Sequence, residues 1–287
     1  TFGQGVENAE TWPKRLEASL DPAGSGCVEV MNLGYADGFS PDSYGLYARA
    51  DLPALLPDLV VVQLFTWNDL DDLRANLWEE PGSDGFPGRI VSPVTYIDLE
   101  GRRLSDAQYP LRFRVPLLRE SHLFQLAAGV VGGAAGLRQV NAKEFYSRRV
   151  HQREVTPALA PAWERLEFSL SVLAAAVKAQ GARLVVVLFP SIAQMGKPPR
   201  FPGLMEAYHH SPDPFDPEEP NRRMRELLDR LGIACLDPLP ALREGERAGR
   251  WRAEELYYIE DGHFRPLGQA VLAGWLEREL KAGGWIP

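Results

Sequence analysis

Two stretches of this chain are almost continuously apolar, and they set the frame for the rest. Asp58-Leu-Val-Val-Val-Gln-Leu-Phe65 and Arg183-Leu-Val-Val-Val-Leu-Phe189 are too short for buried helices and carry no polar alternation. That is the pattern of strands covered on both faces, as in a parallel sheet between helical layers. Cys27-Val-Glu-Val-Met31 and Ile233-Ala-Cys-Leu236 are two shorter runs of strand composition. Between the runs the period changes. Thr11–Leu20 places Trp12, Leu16 and Leu20 on one helical face with Pro13 in the first turn. Ser43–Leu56 does the same with Tyr44, Tyr47, Leu52 and Leu55, and Pro53 predicts a kink. Pro161–Gln180 reads as a long helix stopped by Gly181, Asn221 as the cap of a helix to Leu231, and Pro266–Lys281 as a closing helix.

Helices alternating with buried strands predict an α/β fold with right-handed crossovers. The stretch from about residue 73 to 157 breaks the rhythm. Pro81–Gly85 is loop, Val91–Leu99 with Gly101-Arg-Arg103 resembles a hairpin, and Val115–Val131 reads as a helix fraying at Gly132. No linker isolates this stretch, so it reads as a lid-like insertion within one domain spanning 1–287. Seven prolines between Pro198 and Pro220 make that region irregular.

Composition narrows the function classes. The formal charge of −8 lacks a nucleic-acid footprint, and no apolar run reaches the ~18 residues of a membrane span. Cys27 and Cys235 are the only cysteines and read as buried free thiols. The five histidines have no zinc-ligand spacing, so neither metal nor cofactor is implied. His122 reads as structural, His209 and His210 as exposed loop residues, and His151 has no evident partner. Localisation stays open between bacterial cytoplasm and periplasm.

Ligands of open parallel sheets bind beyond the carboxyl ends of the strands. Three polar blocks fall there: Asn32-Leu-Gly34, Thr66-Trp-Asn-Asp69, and Asp261-Gly-His263 ahead of Pro266-Leu-Gly268. With Thr1-Phe-Gly-Gln-Gly5 at the front, their order and spacing resemble the SGNH, or GDSL-type, hydrolases. The resemblance implies a three-layer α/β/α sandwich with a flavodoxin-like sheet of order 2-1-3-4-5, strand 1 and the nucleophilic serine lying upstream of Thr1. It implies an esterase acting through an acyl-enzyme on small-molecule or carbohydrate acyl esters, acetyl esters among them. His263 would be the general base, oriented by Asp261 or, alternatively, Glu260. Gly34 and Asn68 would form the oxyanion hole with the serine's own N–H. Thr66 stands where the family usually has glycine, and Arg265 where asparagine is common. Two other readings stay open: acyl transfer to a polysaccharide hydroxyl at the same site, and a carbohydrate-binding relative that has lost catalysis. Asn68 alone could equally cap the next helix, with Asp69 the expected cap in the esterase reading.

Overall fold

In the computed structural model, the described residues are 3–35, 39–91, 121, 150–157, 159–196, 215–259 and 262–286. The two apolar runs pair with each other. Strand β1 (Leu59–Phe65) lies parallel to β4 (Arg183–Phe189) over seven residue pairs, Leu59 opposite Arg183 through Phe65 opposite Phe189. Strand β5 (Ala234–Leu236) adds to the far side of β4, also parallel. Among the described residues this gives a three-stranded sheet of order β1-β4-β5.

Helices flank it, and the alternation of side chains along the strands divides the core in two. Val62, Leu64, Val186 and Leu188 point to one face. There they meet helices α2 (Pro41–Ala50), α3 (Leu52–Leu55), α5 (Ala160–Ala179) and α6 (Glu219–Arg230). Helix α5 presents Leu166, Leu170, Leu173 and Val177, a stripe at spacings of four and three, all buried. Val185, Val187 and Phe189 point to the other face. They are covered by α1 (Trp12–Leu20), α7 (Leu239–Arg247), α8 (Ala253–Leu256) and α9 (Pro266–Ala282). Full burial of each such side chain contributes about 1.5–3 kcal/mol relative to exposure.

Several expectations need correction. Cys27–Met31 is not a strand but irregular backbone, and Cys27 is exposed rather than buried. A strand exists only through a neighbour, and no described strand pairs with this segment; its Val30 N–H donates to the Glu17 carboxylate instead, at 2.5 Å. The helix expected over Ser43–Leu56 is two helices broken at Asp51. Pro53 forbids continuation because its ring would collide with the carbonyl four residues earlier. Helix α6 begins at Glu219, so Asn221 lies inside its first turn and sends its amide to Asp237 at 3.1 Å rather than capping. A hairpin not foreseen, β2 (Leu77–Pro81) with β3 (Pro87–Val91), turns through the Gly82–Gly85 loop. Its Trp78 and Phe86 rings pack on Phe168 of α5. The expected hairpin at 91–103 and the helix at 115–131 lie outside the described residues. So do His122, His209 and His210.

Candidate functional site at the carboxyl ends of β1 and β4

Two of the three polar blocks are attached at the end of β4. Beyond β1, the Thr66 N–H donates to the Phe189 carbonyl at 3.0 Å, extending the pairing by one residue. On the opposite side of the same backbone, the buried Tyr257 hydroxyl donates to the Pro190 carbonyl at 3.2 Å. The Phe264 ring sits 5.7 Å from that of Phe189, steeply inclined to it. The loop carrying Asn68 and the loop carrying His263 are therefore anchored on consecutive residues, 189 and 190, at the carboxyl edge of the sheet.

Thr66, the unusual residue in its block, is buried and tied into a polar network. Its Oγ1 lies 3.0 Å from both the Phe189 carbonyl and the Gln194 Oε1. Gln194 accepts the Ser191 N–H and donates to the Asn221 side chain, which donates in turn to Asp237 after β5. The network spans all three strand ends, and a glycine at position 66 could not join it.

Asn68 immediately precedes α4 (Asp69–Ala75) and is half-buried. Its Nδ2 donates to the Asp72 carboxylate at 2.7 Å, leaving the amide's second hydrogen for another acceptor. Asp69 does not cap the helix, as the sequence suggested. It folds back to accept the Phe65 N–H at 2.8 Å and faces the Tyr44 hydroxyl at 3.5 Å. Its burial, with the Asp72 charge nearby, pushes the Asp69 carboxyl well above the usual carboxylate range. Gly34 is half-exposed, and its N–H donates to the Asn32 Oδ1 at 3.1 Å, closing a tight Asx turn. An oxyanion at Gly34 would have to displace that acceptor.

His263 is exposed, and its carbonyl accepts the Tyr258 N–H at 2.8 Å. Gly262 before it has φ +76°, a left-handed turn that a side chain would strain. Phe264 pairs with Tyr257, their rings 4.4 Å apart, and fixes the loop from the other side. Asp261 and Glu260 lie outside the described residues.

One residue without an evident role in the sequence lies near the site. His151 is fully buried with its ring 5.4 Å from Trp67, next to Asn68. Desolvation lowers its pKa to about 3, so it is neutral at physiological pH. Nothing local in the sequence signals this, because the contact joins positions 67 and 151 through the fold. Among the described residues no helix is long and apolar enough to cross a membrane. No protein-family model, no curated protein and no solved structure matches the chain.

Proposed function

We propose that the chain is the greater part of a serine ester hydrolase of the SGNH type. In this reading β1, β4 and β5 are the third, fourth and fifth strands of a doubly wound sheet of order 2-1-3-4-5. The nucleophilic serine follows the first strand and precedes Thr1. What supports the reading is the anchoring of the Asn68 and His263 loops on adjacent residues, Phe189 and Pro190, where β4 ends. That is where the crevice of an open parallel sheet receives its ligand.

The chemistry runs through an acyl-enzyme. His263 takes the serine proton as the serine oxygen bonds to the acyl carbon. The oxyanion is held by the free Asn68 Nδ2 hydrogen and by backbone N–H groups, Gly34 among them once Asn32 lets go. The intermediate collapses, and the leaving alcohol takes the proton from His263. Water then repeats the sequence to release the acid. Asp261 or Glu260 orients the imidazole. The substrate is a small-molecule or carbohydrate acyl ester.

The test is turnover of an activated acetyl ester by the complete polypeptide and its His263→Ala and Asn68→Ala variants. His263→Ala should lose at least ~10³-fold, and Asn68→Ala roughly 10²–10³-fold. His263→Ala should keep its melting temperature within about 2 °C because His263 is exposed, whereas Asn68→Ala, which gives up the hydrogen bond to Asp72, should melt several degrees lower yet stay folded at assay temperature. Equal turnover by all three proteins refutes the reading.

A further inference from the structure

Tyr258 closes the loop that carries His263. Its N–H donates to the His263 carbonyl and its carbonyl accepts the Gly262 N–H, both at 2.8 Å. Just outside these bonds Tyr257 and Phe264 form an antiparallel bridge, and the Arg265 N–H donates to the Leu256 carbonyl at 2.8 Å. The backbone of Tyr258 is therefore fixed relative to that of His263. Its side chain reaches a different part of the chain.

The Tyr258 hydroxyl donates to the Gly5 carbonyl at 2.7 Å, across 253 positions of sequence. The fit is close on both partners. Gly5 has φ +80°, and a methyl group there would lie 2.9 Å from Tyr258 Cε2, so a side chain would be both strained and without room. On the ring itself the Arg265 guanidinium carbon lies 5.3 Å from the centroid, and the Arg265 Nη1 donates to the Glu254 carbonyl at 3.1 Å. Arg265, where the resembling family commonly has asparagine, thus braces the ring that reaches Gly5.

The turn that Tyr258 reaches is compact. The Val6 N–H donates to the Gly3 carbonyl at 3.1 Å, and Gly3 packs against the Thr11 methyl group. The chain then enters α1, whose first N–H, that of Trp12, donates to the Gln269 Oε1 of α9 at 2.9 Å. The segment from Gly5 to Trp12 is thus pinned at both ends to one unit, the His263 loop and the helix that follows it. Without the Tyr258 hydroxyl the segment would keep its tie at Trp12 and lose the one at Gly5.

We propose that Tyr258 is a positioning residue for ester hydrolysis: its hydroxyl holds the Gly3–Gly5 turn at a set distance from His263. The inference rests on the esterase reading, in which that turn follows the nucleophile and His263 takes the nucleophile's proton. One residue then fixes both members of the reacting pair, the base through its own backbone and the nucleophile's turn through its hydroxyl. In this role Tyr258 touches neither the substrate nor the transferred proton. It acts on kcat through geometry, where a displacement of about 1 Å costs up to about 10²-fold.

The test is hydrolysis of 4-nitrophenyl acetate by the polypeptide assayed above and by its Tyr258→Phe and Ser19→Ala variants, with melting temperatures measured alongside. Tyr258→Phe removes the hydroxyl and keeps the ring against Arg265. Ser19→Ala is the matched control. The Ser19 hydroxyl donates to the Glu277 carboxylate at 2.6 Å, an exposed tie across 258 positions, but Glu277 lies about 16 Å along α9 from its start at Pro266. Tyr258→Phe should lower kcat about 10–100-fold with KM changed less than about 3-fold. Ser19→Ala should melt lower by a similar few degrees and keep the parent kcat. A kcat loss below about 10-fold in Tyr258→Phe, a loss expressed in KM instead, or an equal kcat loss in Ser19→Ala overturns the inference. The esterase reading survives any of these when the parent turns over and His263→Ala does not, whereas an inactive parent removes both. Should Tyr258→Phe fail to fold, Gly5→Ala, which forces the same contact apart from the other side, replaces it with the same expected kcat loss.

Discussion

Helix α9 contains two glycines that carry the same intrinsic helix penalty but sit in opposite environments. A methyl group on Gly268 would lie 2.3 Å from the Leu256 carbonyl oxygen, 3.1 Å from its carbon and 2.5 Å from Phe264 Cδ1. Ordinary contact begins near 3.4 Å, so backbone and ring must each retreat by about 1 Å. The backbone cannot do so cheaply. The Leu256 carbonyl accepts the Arg265 N–H at 2.8 Å, and both Leu256 and Tyr257 are buried. On Gly274 the same methyl meets only the Arg278 guanidinium at 3.8 Å, the far end of a flexible side chain.

Alanine relieves about 0.8–1.0 kcal/mol of helix penalty at an interior position and less in the first turn, where Gly268 lies. Forcing a methyl into a packed contact costs about 1–3 kcal/mol. Gly268→Ala should therefore be net destabilising by about 0.5–2.5 kcal/mol, and Gly274→Ala neutral or stabilising by up to about 1 kcal/mol. At roughly 2–4 °C per kcal/mol, Gly268→Ala should melt roughly 1–10 °C lower, while Gly274→Ala should melt at or slightly above the parent temperature. Paired thermal and urea denaturation checks this. Melting of both variants at the same temperature would falsify the claim that the Gly268 contact holds the 256–265 loop against α9. Under the esterase proposal, because that loop carries His263, Gly268→Ala should also lower ester turnover more than Gly274→Ala does.

Two further outcomes follow from the buried groups. Cys27 is exposed, while burial pushes the Cys235 thiol up to about 12; a thiol-reactive disulfide reagent at pH 8 should therefore label one cysteine per chain quickly and the second only in denaturant. His151 has a folded pKa of about 3 against an ordinary 6.5, so the unfolded chain binds the extra proton between those values and stability falls as pH drops through that window. The expected loss is about 1.4 kcal/mol per pH unit. A His151→Gln variant should remove this slope, whereas the opposite slope from the raised Asp69 carboxyl, shared by both proteins, cancels in the difference. Parallel stability curves for the two proteins between pH 4 and 6.5 would show that His151 is not held neutral.

The two seven-residue strands were legible because a nearly continuous apolar run of that length suits a strand covered on both faces, and helices cover both faces here. That the Asn68 block follows β1 was legible from the alternation of elements, and the Thr66–Phe189 hydrogen bond ties that block to the end of β4. The engagements of the site were less visible. Asn68 donating to Asp72 is a four-residue relation that a helix makes available, but the Thr66–Gln194 contact joins positions 128 residues apart, and His151 reaches Trp67 only through the fold. The failure at Cys27–Met31 has a different cause. Its composition is that of a strand, yet composition describes one chain segment, whereas a strand is a relation between two. Placed across a groove from β1, the segment gives hydrogen bonds to the Glu17 carboxylate and the Ser25 hydroxyl. The same reasoning applies to β1 from the other side. Its apolar run is suited to burial between two layers, both layers are there, and among the described residues β4 is the strand that pairs with it.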